Sequence, residues 1–344
     1  MTWRELLAEA TERLKEAGIA ECETDAWILF SEVFDMSRAR YFLCRDQKVS
    51  VGEPGEKEGA AEGKGLTEGT SDWENARKME QFREFVARRC SHIPLQQITG
   101  HQEFMGLDFL VNEHVLCPRQ DTEVLVETVL NELAEICAAG RDDLPADSIG
   151  VSLPDERTAA AEGKTVGELH GGCKMVRILD MCAGSGCIGI SLERLAAVPV
   201  EVLAADISDG AIAVAKTNAE KLGCEHYRII ESNLFAQIEG SFDVIVSNPP
   251  YIPSAVIETL DEEVQLHEPR LALDGEADGL AFYRKISEEA AKRLTPGGKI
   301  YYEIGYDQGA AVSDILAAHG FVDIRIIKDL AGLDRVAAAR NRWR

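Results

Sequence analysis

The sequence has few positive charges and no long hydrophobic run. Its 344 residues include 36 Lys and Arg against 60 Asp and Glu, a formal net charge of −24 at pH 7. Proteins that bind a phosphate backbone carry the opposite charge, so bulk nucleic-acid binding is disfavoured. No apolar stretch approaches the roughly 20 residues of a membrane span, and residues 1 to 5 open an amphipathic pattern instead of a signal peptide. We expect a cytoplasmic protein that binds neither membranes nor nucleic acid directly.

The cysteines also lack a pattern that would indicate disulfides or zinc. There are nine of them, scattered along the chain, and no two form a C-x-x-C pair. A chain of this length builds a core large enough to fold without disulfides. We therefore interpret them as reduced thiols, mostly packing residues, and predict no metal site.

The N-terminal part shows helical periodicity with one polar interruption. Apolar residues recur at helical spacing over residues 3 to 17, 26 to 34 and 73 to 90, and a short helix is predicted over 39 to 44. Residues 51 to 71 are dominated by glycine, glutamate and lysine, and such a segment buries too little to offset its ordering entropy. The sequence therefore predicts a helical bundle over residues 1–92 with a flexible insertion at about 51–71.

A hairpin is predicted to connect this bundle to the rest of the chain. Residues 103 to 111 alternate as strands do, so we place the connection at 93–117. Helical periodicity returns over 115 to 129, and 138–172 is a second polar stretch that we treat as an insertion. The remainder, 118–344, is predicted to be the larger domain.

From residue 175 onward, strand patterns and helix patterns alternate. Strands are predicted over 176–179, 200–205, 227–230, 243–246, 299–303 and 322–328, with helices over 187–194, 211–222, 286–294 and 309–319. Alternation with short connections is typical of an α/β fold with a doubly wound parallel sheet. The last helix and strand favour an antiparallel edge.

A glycine-rich loop follows the first of these strands. Residues 180 to 189 end a strand and open a helix, and Gly184, Gly186 and Gly189 have the spacing G-x-G-x-x-G. Asp206 comes at the end of the next strand, where a carboxylate can accept the two hydroxyls of a ribose. A nicotinamide dinucleotide and S-adenosylmethionine both fit this pattern.

The strand at 243–246 ends in an unusual loop. It runs into Asn248, Pro249, Pro250 and Tyr251, and two successive prolines fix the backbone and hold the preceding residue extended. The Asn248 amide, the Pro249 carbonyl and the Tyr251 ring then form a clamp for a planar N–H group. A hydride-transferring enzyme has no use for this clamp, whereas methyl transfer to nitrogen does, so S-adenosylmethionine is favoured.

Together these motifs resemble the class I S-adenosylmethionine-dependent methyltransferases. More narrowly, the chain resembles the HemK/PrmC family, the protein-(glutamine-N5) methyltransferases of class I peptide chain release factors. The narrower resemblance rests on further short matches, which are Pro94-Leu95, Ile98-Thr99-Gly100, Glu103-Phe104, Pro118-Arg119, Thr122-Glu123, Glu268-Pro269, Ala272-Leu273, Asp278-Gly279-Leu280, Glu303-Ile304-Gly305, Asp329-Leu330-Ala331-Gly332 and Asp334-Arg335.

The resemblance implies a Rossmann-like methyltransferase domain and roles for particular residues. Asn248, Pro249 and Tyr251 would be catalytic, and Pro250 and Phe104 would join them in binding the substrate glutamine. S-adenosylmethionine would contact a larger set, namely Asp180, Cys182, Ala183, Gly184, Ser185, Gly186, Asp206, Asn233, Leu234 and Asn248. The chain departs from the family at two of these positions, since glycine is usual at 182 and an acid is common at 233.

The resemblance also implies the partner. The expected substrate is the glutamine of the Gly-Gly-Gln motif in class I release factors, modified by a monomeric enzyme. Two other activities use the same clamp: adenine-N6 methylation of DNA or RNA, and methylation of a ribosomal-protein glutamine. The strongly acidic composition counts against the nucleic-acid substrate.

Overall fold

The structure is a computed structural model that describes residues 1–49, 72–139 and 175–342. The chain divides into two compact units: Met1–Gly100 with Glu262–His267, and His101–Asp261 with Glu268–Arg344. The predicted insertion at 51–71 lies outside the described residues, as does that at 138–172 except for Ala138 and Ala139, which end a helix.

The described helices and strands are numbered here in chain order. The helices are α1 (Trp3–Glu16), α2 (Cys22–Phe34), α3 (Arg38–Cys44), α4 (Asp72–Cys90), α5 (Leu95–Thr99), α6 (Gln120–Ala139), α7 (Cys187–Leu195), α8 (Asp209–Lys221), α9 (Ser254–Ile257), α10 (Glu262–His267), α11 (Arg270–Leu273), α12 (Ala281–Arg293) and α13 (Gly309–Ala318). The strands are β1 (His101–Phe104), β2 (Leu107–Leu110), β3 (Val176–Met181), β4 (Val200–Asp206), β5 (Tyr227–Glu231), β6 (Phe242–Ser247), β7 (Leu294–Glu303), β8 (Phe321–Lys328) and β9 (Asp334–Asn341).

The first unit is a helical bundle, as its periodicity predicts. α1 begins with a capping box in which the Thr2 hydroxyl accepts from the Glu5 backbone N–H and the Glu5 carboxylate accepts from the Thr2 N–H. Such a cap contributes about 1 kcal/mol because it satisfies two otherwise orphaned donors. The apolar face of the helix is buried, and Phe30 of α2 packs edge-on against Phe82 of α4 with ring centroids 5.7 Å apart.

The second unit begins with the predicted hairpin. β1 pairs with β2 in antiparallel register, with His101 opposite Leu110 and Phe104 opposite Leu107. The turn is made by Met105 and Gly106. Phe104 and Phe109 are both buried and pack edge to face at 6.0 Å, which anchors the hairpin in the core of this unit.

In the described part of the second unit, seven strands form one sheet in the order β5-β4-β3-β6-β7-β9-β8. The strands from β5 to β7 pair in parallel, and β9 is antiparallel to both of its neighbours. The chain order reverses between β3 and β6, which lie side by side. In open α/β sheets, ligands bind at the carboxyl ends of strands beside such a switch point. The predicted doubly wound α/β fold is confirmed.

Buried side chains cover both faces of this sheet. Ile178, Val244 and Tyr301 belong to one hydrophobic cluster, whereas the next residues along the strands, Leu179, Ile245 and Tyr302, belong to another. Successive strand residues point to opposite faces, so a core on each side requires continuously apolar strands. This arrangement holds the strand ends, and therefore the loops that follow them, in fixed positions.

The sequence prediction missed β9. It ended the fold at the strand over 322–328, whereas β9 inserts between β7 and β8 and separates them. The strand contains Ala337, Ala338 and Ala339, and alanine has little preference for strands. The structure explains the small residues, because Ala337 and Ala338 lie opposite the large side chains of Tyr302 and Tyr301.

In the part of the chain described here, no helix combines the length and apolarity needed to cross a membrane.

Candidate active site

The glycine-rich loop connects β3 to α7 and turns sharply at three positions. Cys182, Gly184 and Gly186 all have positive φ angles, of 62°, 56° and 79°. A Cβ on Gly186 would lie 2.7 Å from the Tyr227 hydroxyl oxygen, so a side chain is excluded there. A Cβ on Gly184 would meet nothing within 4 Å, and the loop presents bare backbone to open space at that point. Cys182 adopts the left-handed conformation that glycine adopts at lower cost.

Asp206 lies directly in front of this loop. It ends β4, and its carboxylate accepts hydrogen bonds from the backbone N–H groups of Gly184 and Ser208, both at 2.9 Å. Each carboxylate oxygen can accept further hydrogen bonds, because an ionised carboxylate offers about four lone-pair sites. The group is therefore rigidly placed and still able to accept hydrogen bonds from two hydroxyls.

Asp180 lies behind the loop. Its side chain is completely buried, and Oδ2 accepts a hydrogen bond of 2.9 Å from the Gly189 backbone N–H at the start of α7. Within the described residues, Oδ1 has no hydrogen-bond partner. Burial raises the pKa of Asp180 to about 7, and the negative charge of Asp206 adds to this effect while the bond from Gly189 opposes it. Asp180 thus braces the loop from inside the protein.

The clamp follows β6, which pairs with β3 in the centre of the sheet. Ser247 anchors the strand end because its hydroxyl donates to the Met181 carbonyl at 2.6 Å. Asn248 comes next, and its Nδ2 lies 3.4 Å from the hydroxyl oxygen of Thr122, a buried residue of α6. The amide oxygen of Asn248 is thereby left to accept hydrogen bonds from a ligand.

Tyr251 is held at both its backbone and its ring. Its carbonyl accepts a hydrogen bond of 2.9 Å from the Gln308 side chain, and its hydroxyl lies 3.3 Å from Oε1 of Glu303 at the end of β7. Burial raises the pKa of Tyr251 well above its usual value, and the adjacent Glu303 raises it further. The hydroxyl therefore stays protonated and acts as a donor. No motif in the sequence pointed to Gln308.

One cavity of 330 Å³ joins the two loops. Nine of the residues that the sequence assigns to the site line it: Cys182, Ala183, Gly184, Ser185, Asp206, Asn233, Leu234, Asn248 and Pro250. Side chains without a predicted cofactor role also line it, among them His114, Arg119, Leu271, Phe282 and Lys285. For Arg119, the Pro118-Arg119 match was the available signal.

Other predicted residues do not line this cavity of the described chain. Asp180, Gly186, Pro249 and Tyr251 lie outside its lining. Asp180 is buried behind the glycine loop, Gly186 belongs to that loop, and the other two belong to the clamp. Phe104 requires a correction, because its ring is 1% exposed and packs against Phe109 in the hydrophobic core. We therefore assign Phe104 to packing of the hairpin and no longer to the substrate pocket.

Known proteins resemble this chain over nearly its full length. Two family models match it: the PrmC N-terminal domain over residues 5–56 and the methyltransferase small domain over residues 169–265. A release factor glutamine methyltransferase of Agrobacterium fabrum is 36% identical over 338 residues, covering 98% of this chain and 96% of the relative. The protein of the same name from Moorella thermoacetica is 34% identical, covering 99% of each chain.

These likenesses agree with the position of the two loops in the fold. The methyltransferase match includes both the glycine loop and the clamp, and the match to the PrmC N-terminal domain falls on the helical bundle. The alignment with the Agrobacterium relative, 36% identical on average, spans 98% of the chain. The chain belongs to the release factor glutamine methyltransferase family.

Proposed function

We propose that this protein transfers a methyl group from S-adenosylmethionine to the side-chain nitrogen of the glutamine in the Gly-Gly-Gln motif of class I peptide chain release factors. The observation that carries the proposal is the clamp, whose amide oxygen is available as an acceptor in the same cavity as the glycine loop and Asp206. The partner follows from family membership and from the names of the relatives.

The residues of the cavity fit S-adenosylmethionine. Asp206 would accept hydrogen bonds from the ribose hydroxyls. A side chain at position 184 would project into the open space in front of the loop, so glycine there lets the cofactor approach the backbone closely. Asn233 and Leu234 would contact the adenine, and Asn233 is exposed at the cavity wall. When bound, this cofactor supplies a methyl group on a positively charged sulfur, an activated donor.

The clamp would act by orienting a poor nucleophile. The lone pair of a carboxamide nitrogen is delocalised into its carbonyl, so the nitrogen must be placed accurately. The Asn248 amide oxygen and the Pro249 carbonyl would accept the two N–H bonds of the substrate glutamine. These bonds strengthen as positive charge develops on the nitrogen, which favours the transition state over the ground state.

Tyr251 would pack on the flat face of the substrate amide. The prolines restrict the loop around it, and Gln308 holds its carbonyl, so the ring has little freedom to move away. The substrate nitrogen would gain the methyl group and lose a proton to water. The clamp residues would then contribute position and hydrogen bonds, and no side chain would need to act as a general base.

A labelling experiment tests this function. The protein is incubated with methyl-labelled S-adenosylmethionine and one of three acceptors: a release factor, its Gln→Ala variant in the Gly-Gly-Gln motif, or DNA. We expect label on the intact release factor alone. Label on DNA, or equal label on the Gln→Ala variant, would contradict the proposal.

A further inference from the structure

An ion pair joins two of the short family matches that the proposed function leaves without a task. Nη2 of Arg119, in the match Pro118-Arg119, donates to Oε1 of Glu268, in the match Glu268-Pro269, at 2.5 Å, although the two residues are 149 positions apart. The Glu268 side chain is 1% exposed, whereas the Arg119 side chain is 45% exposed and lines the cavity. The pair therefore has a buried acidic half and an accessible basic half.

Arg119 enters the cavity wall beside the clamp. It comes just before α6, and its carbonyl accepts a hydrogen bond of 3.0 Å from the Thr122 backbone N–H. The Thr122 hydroxyl oxygen in turn lies 3.4 Å from Nδ2 of Asn248. The backbone at Arg119 is thus tied to the residue that contacts the clamp.

The other basic side chains that line the described cavity belong to different parts of its wall. Lys285 donates to Glu276 at 2.6 Å, and it lines a neighbouring cavity together with Asn233, which is assigned to the adenine. The His114 ring packs against Gly210, since a Cβ there would lie 2.6 Å from its Cγ, and Gly210 belongs to the helix that follows the proposed ribose acid. Among the described residues, Arg119 is therefore the basic side chain that lines the cavity at the clamp.

One charged part of the cofactor has no assigned partner in the proposed function. The ribose would face Asp206 and the methyl group would face the clamp, but the methionine part also carries a carboxylate. That part is attached to the sulfur, so it begins where the methyl group does, at the clamp. A carboxylate that leaves water for a cavity in a protein with a net charge of −24 needs a cation beside it.

We infer that Arg119 binds the α-carboxylate of S-adenosylmethionine and that Glu268 is a positioning residue that holds the guanidinium in place. A guanidinium presents five donors in a rigid planar fork, so it can donate to Glu268 and to a second carboxylate at the same time. The inference rests on the proposed function for the identity of the cofactor. It assigns a partner to the amino-acid end of that cofactor, whereas Asp206 is assigned to the ribose.

The first test compares two ligands that differ only at this group, S-adenosylmethionine and its decarboxylated form. Calorimetry gives the Kd of each without a release factor. Arg119→Gln should raise the Kd of S-adenosylmethionine by about 10- to 100-fold, the value of a charged hydrogen-bonded pair, and should not raise that of the decarboxylated form. Equal weakening of both ligands, or no weakening of either, would overturn the inference.

Two matched variants sharpen this comparison. Arg119→Lys keeps the charge but loses the fork, so the Kd of S-adenosylmethionine should rise less than in Arg119→Gln. Lys285→Gln removes the other long basic side chain of the cavity wall and should change the Kd of both ligands by the same factor. A larger selective loss in Lys285→Gln than in Arg119→Gln would assign the carboxylate to Lys285 and refute the role of Arg119.

Glu268→Gln tests the positioning role. Glutamine keeps the shape and an acceptor oxygen but removes the charge, so the Kd of S-adenosylmethionine should rise by about 3- to 10-fold with that of the decarboxylated form unchanged. A merely structural role would weaken both ligands alike. In Arg119→Gln/Glu268→Gln, the ratio of the two Kd values should equal that in Arg119→Gln, because Glu268 acts only through the arginine. This double variant removes both charges of the pair together, so it decides the question if Arg119→Gln alone fails to fold.

Labelling separates this inference from the proposed function. If Arg119 contacted the release factor instead, Arg119→Gln would raise the KM for that protein and leave both ligand Kd values unchanged, which would overturn the inference. Selective loss of S-adenosylmethionine affinity in Arg119→Gln, in a protein that never labels the release factor, would refute the proposed function and support the inference.

Discussion

The glycine loop and the clamp bound the same cavity but are held in different ways. The glycine loop is shaped by its own backbone, with positive φ angles at Cys182, Gly184 and Gly186 and a buried carboxylate four residues before Gly184. The clamp depends on side chains from distant elements, including Thr122, Glu303 and Gln308. A loop whose backbone groups face the ligand can be shaped by its own residues. A loop whose side chain must face the ligand in one orientation needs contacts from other parts of the fold.

The largest expected effect is on the clamp itself. Asn248→Ala removes one of the two proposed acceptors, and loss of such an interaction should lower kcat by about 1000-fold. The cofactor Kd should stay close to that of the wild type, since the glycine loop and Asp206 are untouched. Calorimetry with S-adenosylmethionine and single-turnover labelling measure the two quantities. Wild-type turnover in this variant would remove Asn248 from the mechanism.

The next prediction concerns the buried carboxyl of the glycine loop and pH. Burial raises the pKa of Asp180 from its ordinary value of 3.8 to about 7, so the folded protein binds this proton more tightly than the unfolded chain does. The contribution of Asp180 to the free energy of unfolding of the cofactor-free protein is therefore greatest at low pH. It falls by as much as about 4 kcal/mol as the pH rises toward 7.

Denaturation curves of the wild type and Asp180→Asn test this effect. Many other groups titrate in an acidic protein, so the difference between the two proteins carries the information. The wild type should lose stability relative to the asparagine variant between about pH 4 and pH 7. Parallel stability curves would show that Asp180 is ionised throughout and that its burial has been offset elsewhere.

Two glycines of the same loop form a matched pair. Gly186→Ala places a Cβ 2.7 Å from the Tyr227 hydroxyl at a positive φ, and we expect a loss of about 3 kcal/mol from strain and overlap together. Gly184→Ala shares the positive φ but meets nothing within 4 Å, so its stability loss should be about 1 kcal/mol.

Thermal and urea denaturation give these two values, and titration with S-adenosylmethionine adds a second readout. The methyl group of Gly184→Ala projects into open space beside Asp206 and should weaken cofactor binding more than its small stability loss implies. Equal destabilisation by both alanines would mean that backbone conformation alone, and not the packing against Tyr227, determines the loop.

The smallest expected effect is that of Tyr251→Phe. The variant removes the hydroxyl that faces Glu303 but keeps the carbonyl held by Gln308, so kcat should fall by only about 3- to 10-fold, the size of one lost hydrogen bond. Tyr302→Phe is the control, since it removes a buried hydroxyl 3.0 Å from that of Ser287. The control should lose stability with kcat unchanged. A larger loss of kcat in the control would place the effect outside the clamp.

Much of the site could be predicted because its local patterns are strong. The glycine spacing, the carboxylate at the end of the second strand and the double proline each identify a strand end, and a parallel sheet brings strand ends together. The family resemblance is confirmed by relatives that match the whole chain. Phe104 shows the limit, because an aromatic residue in a hairpin faces the core or a ligand with equal plausibility in sequence.

The sequence by itself determined the fold class, the carboxyl ends of the parallel strands to within about two residues, and the types of residue that line the cavity. Hydrophobic periodicity, and the glycine and proline residues that end helices and strands, are local features of the sequence. They can therefore be recognised without knowledge of the fold. Tertiary structure alone decided that β9 lies between β7 and β8, that Phe104 is buried, and that Thr122 contacts Asn248 while Glu303 contacts Tyr251. These facts depend on contacts between different helices and strands, such as that between Thr122 and Asn248, 126 residues apart, and no local pattern encodes them.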